Sequence, residues 1–186
     1  YLFLHAGALA CHGQGIILPA APGSGKTTLT AAAVAMGFQY LSDEVAALPL
    51  GGSDLVPFAK SLFVKQGSQL LLAFFCPELT VTPPHYRLSG EPVWYLPPPP
   101  AAWPATPVPL RHVVFPRYVP GAPAELTPLS RPDALPLLLR QSFNVPALGT
   151  RGVEGIVALL RAAECHTLTL DELAPAVALL LRLLET

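Results

Sequence analysis

With 186 residues, the chain has room for one well-cored domain and is too short for two ordinary ones. Eleven basic against twelve acidic residues leave a net charge of −1, which argues against nucleic acid and against an acidic membrane surface as partners. The cysteines, Cys11, Cys76 and Cys165, show no C-x-x-C spacing, and the longest apolar run, near residue 180, is far below the roughly 18 residues a membrane span requires. The composition therefore predicts a soluble, reduced, cytoplasmic protein. Because the chain opens at Tyr1 inside a strand-like run, a single domain over 1–186 that lacks an N-terminal neighbour is the expectation.

Taken in chain order, LFLHAGALA and GIILPA are apolar, β-compatible runs separated by CHGQG, so they read as a hairpin turning at Gly13 and Gly15. A glycine-rich loop follows, then KTTLTAAAVAM, an alanine-rich helix with Gly37 at its left-handed cap. FQYLS predicts a short buried strand. Strand, loop, helix and strand form the minimal parallel unit of an α/β sheet. Ser61 to Val64 predicts another strand, and LLLAFF fits helix or strand equally. The proline-rich segment from Glu91 to Pro109 predicts extended, polyproline-like surface chain. HVVF predicts a strand ended by Pro116. The remainder reads as helical: Ser130 or Asp133 caps DALPLLLRQ, Thr150 caps RGVEGIVALLRAA, and Asp171 caps ELAPAVALLLRLLE with Pro175 in its first turn.

The chemistry gathers in AAPGSGKTT. Ala20, Gly25, Lys26 and Thr27 meet the pattern [AG]-x-x-x-x-G-K-[ST]. Gly23 and Gly25 let successive backbone N–H groups face an anion, and the following helix adds its positive end. Lys26 supplies a cation for the outer phosphates, and Thr27 offers a hydroxyl to Mg²⁺. Asp43 and Glu44 follow the next strand, whose carboxyl end belongs beside the loop. One carboxylate can hold the metal while the other accepts a proton from an attacking hydroxyl.

LHAGALA, GQGIILPAAPGSGKTTL and GFQYLSDE together resemble the catalytic domain of HPr kinase, a bacterial serine kinase whose P-loop core is related to phosphoenolpyruvate carboxykinase. PFAKSLFVKQGS, VVFPRYVPGAPAELTPLS and QSFN look more like the divergent HPr kinase-related kinases. The resemblance spans most of the chain and is weakest across the prolines. It implies a mixed sheet flanked by helices around a P-loop core. It also implies ATP and Mg²⁺ as ligands, with Pro22, Gly23, Ser24, Gly25, Lys26, Thr27 and Thr28 around the nucleotide. Asp43 is then the base, Glu44 stands at the metal in place of a second aspartate, and His5 lies near the acidic pair. The glycine-rich, Glu-Arg-containing signature of HPr kinase is not found, so the resemblance does not extend to phosphorylation of HPr or to phosphorolysis.

Other residues divide between chemistry and plain surface. Arg117, after HVVFP, can neutralise charge on a transferring phosphoryl group or be a surface arginine. Lys60 and Lys65 can reach phosphate or be ordinary exposed lysines. Arg140 and Asn144 near QSFN are weaker candidates, and His12, His85, His112 and His166 lack metal-binding spacing. The expected activity is transfer of the γ-phosphoryl group of ATP to a hydroxyl, above all a serine of a protein or peptide. A homo-oligomer is compatible with the resemblance. The alternatives are a nucleotide-binding regulatory module without transfer chemistry, and an ATPase.

Overall fold

The computed structural model describes residues 1–21, 23–58, 60–104 and 106–185. In chain order the elements are β1 (Leu2–Cys11), β2 (Gln14–Pro19), α1 (Lys26–Ala35), β3 (Gln39–Ser42), β4 (Val45–Leu48), β5 (Asp54–Leu55) and β6 (Leu62–Lys65). They continue with α2 (Gln66–Leu72), β7 (His85–Tyr86), β8 (Pro92–Leu96), β9 (Val108–Tyr118), β10 (Glu125–Pro128) and α3 (Arg131–Arg140). The last four are α4 (Val145–Leu148), α5 (Thr150–Ala162), β11 (Glu164–Leu170) and α6 (Leu173–Leu183).

The predicted hairpin forms. Cys11 lies opposite Gln14, and the two residues between, His12 (φ 51°) and Gly13 (φ 74°), are both left-handed, the backbone a two-residue hairpin turn needs. The main sheet runs β10-β11-β9-β2-β1-β3, with β4 beside β1 and β5 beside the start of β9. β2, β9 and β11 are mutually parallel, while β1 is antiparallel to β2, β3 and β4, so the sheet is mixed. Helix α1 therefore joins two parallel strands that are not neighbours, since β1 lies between β2 and β3.

Helices cover both faces. On one, Leu29 of α1 and Val177 and Leu180 of α6 pack with Leu9, Ile16 and Leu18. On the other, Leu138 of α3 and Ile156 and Leu159 of α5 pack with Leu4, Ile17 and Val113. Full burial of each such side chain contributes about 1.5–3 kcal/mol. The protein is thus a mixed α/β fold with helices flanking a mixed sheet. Among the described residues no helix is long and apolar enough to cross a membrane.

Several expectations are corrected. Residues Pro92–Leu96 are the central strand of a second, three-stranded sheet, β6-β8-β7, and Val93, Trp94 and Leu96 are buried. The prolines bracket this strand, Pro92 at its start and Pro97 after its end, so the intervening N–H groups remain free to pair. Strand β9 continues through Pro116 to Tyr118; beyond Val113 it has lost β2 and is paired on one side, where a missing donor is tolerated. The C-terminal third is not all helical. ECHTLTL becomes β11, parallel to β9, with β10 outside it. Ser130 caps α3, accepting a bond from the Asp133 N–H. Thr150 is instead the first residue of α5, and Glu172 rather than Asp171 precedes α6; the Asp171 carboxylate accepts from Gly121 N at 2.8 Å.

Two features of β1 position the site. Ala8 faces Ser42 and His5 faces Val45 in one continuous register, so Asp43 and Glu44 fill the gap between β3 and β4, alongside Gly7 and Ala6. On its other edge β1 loses β2 after Ala6, opposite Pro19, and the QSFN segment takes over: His5 N donates to Gln141 O at 2.6 Å and Phe143 N to Phe3 O at 3.0 Å. The loop leaving β2, the acidic pair and His5 are thereby brought to the middle of one strand.

Candidate active site

The loop from Ala20 to Gly25 is shaped by backbone that only glycine adopts freely: Gly23 has φ 83° and Gly25 φ 85°. Ser24 N donates to Ala21 O at 3.2 Å, tightening the turn, and α1 begins at Lys26. Pro22 lies outside the described residues. The Ser24 hydroxyl is buried without a hydrogen-bond partner among the described residues, as expected of a group whose partner is a ligand.

Lys26 is 6% exposed, and its Nζ donates to the Asp43 carbonyl at 2.8 Å. Burial lowers its pKa, and the charges of Asp43 and Glu44 oppose that shift. Asp43 is fully buried. Its Oδ2 accepts from Thr27 Oγ1 at 2.9 Å, while its Oδ1 has no hydrogen-bond partner among the described residues. Burial pushes the Asp43 carboxyl above its ordinary range, against the pull of Lys26 and the Thr27 hydroxyl, which makes it a stronger base than an exposed aspartate.

Glu44 differs from its neighbour in sequence. It is 44% exposed and paired with the Lys60 ammonium, which holds its carboxyl below the usual range. His5 Nδ1 lies 3.4 Å from Gln141 Oε1, and its ring meets Phe143 edge-on at 5.7 Å. Burial first, then the Lys26 charge, lowers the His5 pKa, against the hydrogen bond to Gln141 and the charges of Glu44 and Asp43. Thr28 Oγ1 donates to Ser68 Oγ at 2.8 Å, joining α1 to the start of α2.

Between the loop and the small sheet opens a cleft of about 590 Å³; Asp43 and Ser24 are not among the residues that line it, Asp43 lying fully buried. His5, Gly23, Gly25, Lys26, Thr27, Thr28 and Glu44 are in the cleft wall. Lys65 joins them, together with Arg87 and Glu91, which sequence reasoning missed. Gly67 and Ser68 of the quoted KQGS, in the first turn of α2, line the same side. Lys60 reaches Glu44 and borders an adjoining groove. Arg117 stands on the exposed end of β9, outside the lining of this cleft. Asn144 clamps the start of β1, accepting from Phe3 N at 3.0 Å and donating to Tyr1 O at 2.9 Å. A second cleft of similar size, about 580 Å³, lies between the β9–β10 connection and the start of α6, but it presents Asp171 and Glu172 and no phosphate cradle.

The oxygens present suit magnesium. A Thr27 hydroxyl that gives its proton to Asp43 keeps its lone pairs for a cation, and the unpartnered Asp43 oxygen and the Glu44 carboxylate are hard ligands. Among the described residues no three His, Cys, Asp or Glu side chains converge as a cage. Magnesium requires none, being held by one or two protein oxygens together with phosphate and water. No protein-family model matches the chain, and no curated protein matches it.

Proposed function

We propose that the protein is an ATP- and Mg²⁺-dependent kinase of the HPr kinase-like P-loop type, which transfers the γ-phosphoryl group to a hydroxyl, in the first place a serine of a protein or peptide. One observation carries this reading. Asp43, fully buried against Lys26 and Thr27 at the foot of a phosphate-shaped loop, keeps one carboxylate oxygen free of any described partner. A buried charged oxygen left unpaired costs stability and persists where a reaction uses it.

The loop N–H groups and the Ser24 hydroxyl bind the phosphates, and Lys26 exchanges its bond to the Asp43 carbonyl for the outer phosphates. Thr27 and Glu44 would hold a magnesium ion, which would draw charge from the phosphate oxygens. Asp43 orients the acceptor hydroxyl and takes its proton as the new O–P bond forms and the bond from Pγ to the bridging oxygen breaks, releasing ADP. In this reading His5, in contact with Gln141, hydrogen-bonds the acceptor. A cytoplasmic setting and a homo-oligomeric assembly accompany this reading.

The test is incubation with γ-labelled ATP and Mg²⁺ against serine-containing proteins and peptides, with Asp43→Asn as control. Label in a hydroxyl product that disappears in the variant supports the kinase. Tight nucleotide binding without any product would favour a binding module, and normal transfer by Asp43→Asn would remove Asp43 as the base.

A further inference from the structure

The Lys60–Glu44 pair stands where two cavities meet. The nucleotide cleft and a groove of about 420 Å³ share Glu44, Phe63 and Arg87, and the groove adds Lys60, Ser61 and Tyr95. Both members of the pair are more than a third exposed, so the contact itself contributes little to folding. The backbone of Lys60 is nonetheless pinned, because the buried Tyr40 hydroxyl on β3 donates to Lys60 O at 2.8 Å. An anchored Cα with a half-exposed ammonium gives a cation of fixed reach and free head.

The surrounding charge explains why such a cation is needed. Asp43 and Glu44 are consecutive carboxylates, and an incoming nucleotide adds several negative charges beside them. Without metal, the ammonium of Lys60 is what neutralises the outer carboxylate.

We propose that Lys60 is a built-in stand-in for the metal ion at Glu44, displaced into the adjoining groove when magnesium and nucleotide bind. This rests on the kinase reading above. Displacement is cheap because the pair is exposed. It leaves the ammonium facing the groove, beside Ser61 and Tyr95, so the groove takes its final charge only after the nucleotide cleft is filled. Nucleotide then precedes acceptor.

The experiment measures binding of a non-hydrolysable ATP analogue by calorimetry, with and without Mg²⁺, for the wild type, Lys60→Met, Glu44→Gln and the double variant. Lys60→Met should weaken metal-free binding about tenfold, the scale of one lost charge near the surface. With Mg²⁺ the change should stay within about threefold, because the metal replaces the lost cation. In the Glu44→Gln background, Lys60→Met should have no further effect on the ratio of the two affinities. Equal weakening with and without metal would overturn the proposal, since Lys60 would then be a direct phosphate ligand. An unchanged ratio in Lys60→Met would overturn it as well. If the wild type fails to bind the analogue with Mg²⁺, the nucleotide-site reading falls and takes this one with it.

Discussion

The two walls of the cleft hold their charges in opposite ways. On the loop side Lys26 and Asp43 are buried, and each is fixed by a backbone carbonyl or a hydroxyl. Across the cleft, Lys60 pairs with Glu44 of the β3–β4 gap and Arg87 with Glu91 as exposed ion pairs, and Leu70 of α2, Phe74 beyond its end and Leu88 of the β7–β8 turn stand in solvent. Buried charge with fixed partners preorganises a reaction, whereas exposed pairs exchange partners at little cost.

The largest expected effect tests the buried wall. Lys26→Ala should reduce phosphoryl transfer at least about a thousandfold with the circular dichroism spectrum unchanged. Next, two phenylalanines separate the regions by stability alone. Phe38→Ala, in the core beside α1, should cost about 3–5 kcal/mol in urea denaturation, while Phe74→Ser, in the turn after α2, should stay within about 0.5 kcal/mol.

A third prediction concerns the contact between β1 and α1. A Cβ at Gly7 would stand 2.6 Å from Thr30 Oγ1, so Gly7→Ala should destabilise by about 1–3 kcal/mol. The Thr30 hydroxyl is buried without a partner among the described residues, so adding Thr30→Ala should recover most of that loss. Failure of the rescue would mean that the strand backbone, and not this atom pair, takes the strain.

The smallest effect lies at the far end of the sheet. His112 on β9 and His166 on β11 have ring centroids 5.8 Å apart, and the Nδ1 of each is buried without a described partner. Burial lowers both pKa values, although Glu164 opposes it. The unfolded chain, with histidines near pH 6.5, then binds more protons than the folded one below that pH. Stability should be fully present above about pH 6.5 and fall as the pH drops toward the folded values, by no more than about 1.4 kcal/mol per pH unit for each histidine. Replacing His166 by Gln should flatten the dependence of the urea midpoint between pH 7.5 and pH 5.5, and an undiminished slope would assign it to other groups.

What was legible in the sequence was local. The hairpin, α1, β3 and the loop announce themselves through turn glycines, an alanine-rich run and a motif of fixed spacing, and all lie within the first 45 residues. Contacts across the chain were not. Gln141 beside His5, and Arg87 in the cleft wall, are brought there by sheet pairing between distant segments, which no periodicity reports. The average proline content hides the PVWYL strand, whose pairing depends on the positions of the prolines at its ends. In ECHTLTL only TLTL alternates polar with apolar residues, a short signal for β11 between two strong helices.

β3 shifts its register on β1 between Ala8 and Leu9, but from the Ala8–Ser42 pair onward the register runs on through β4, with a consequence for how this site can vary. Only two residues span the gap between Ser42 and Val45. One inserted or deleted there would slip β4 by a single position and turn Ala46 and Leu48, now packed with Ile156 and Leu159, to the opposite face. The number of residues at positions 43 and 44 is thus tied to the core beneath them as well as to the site.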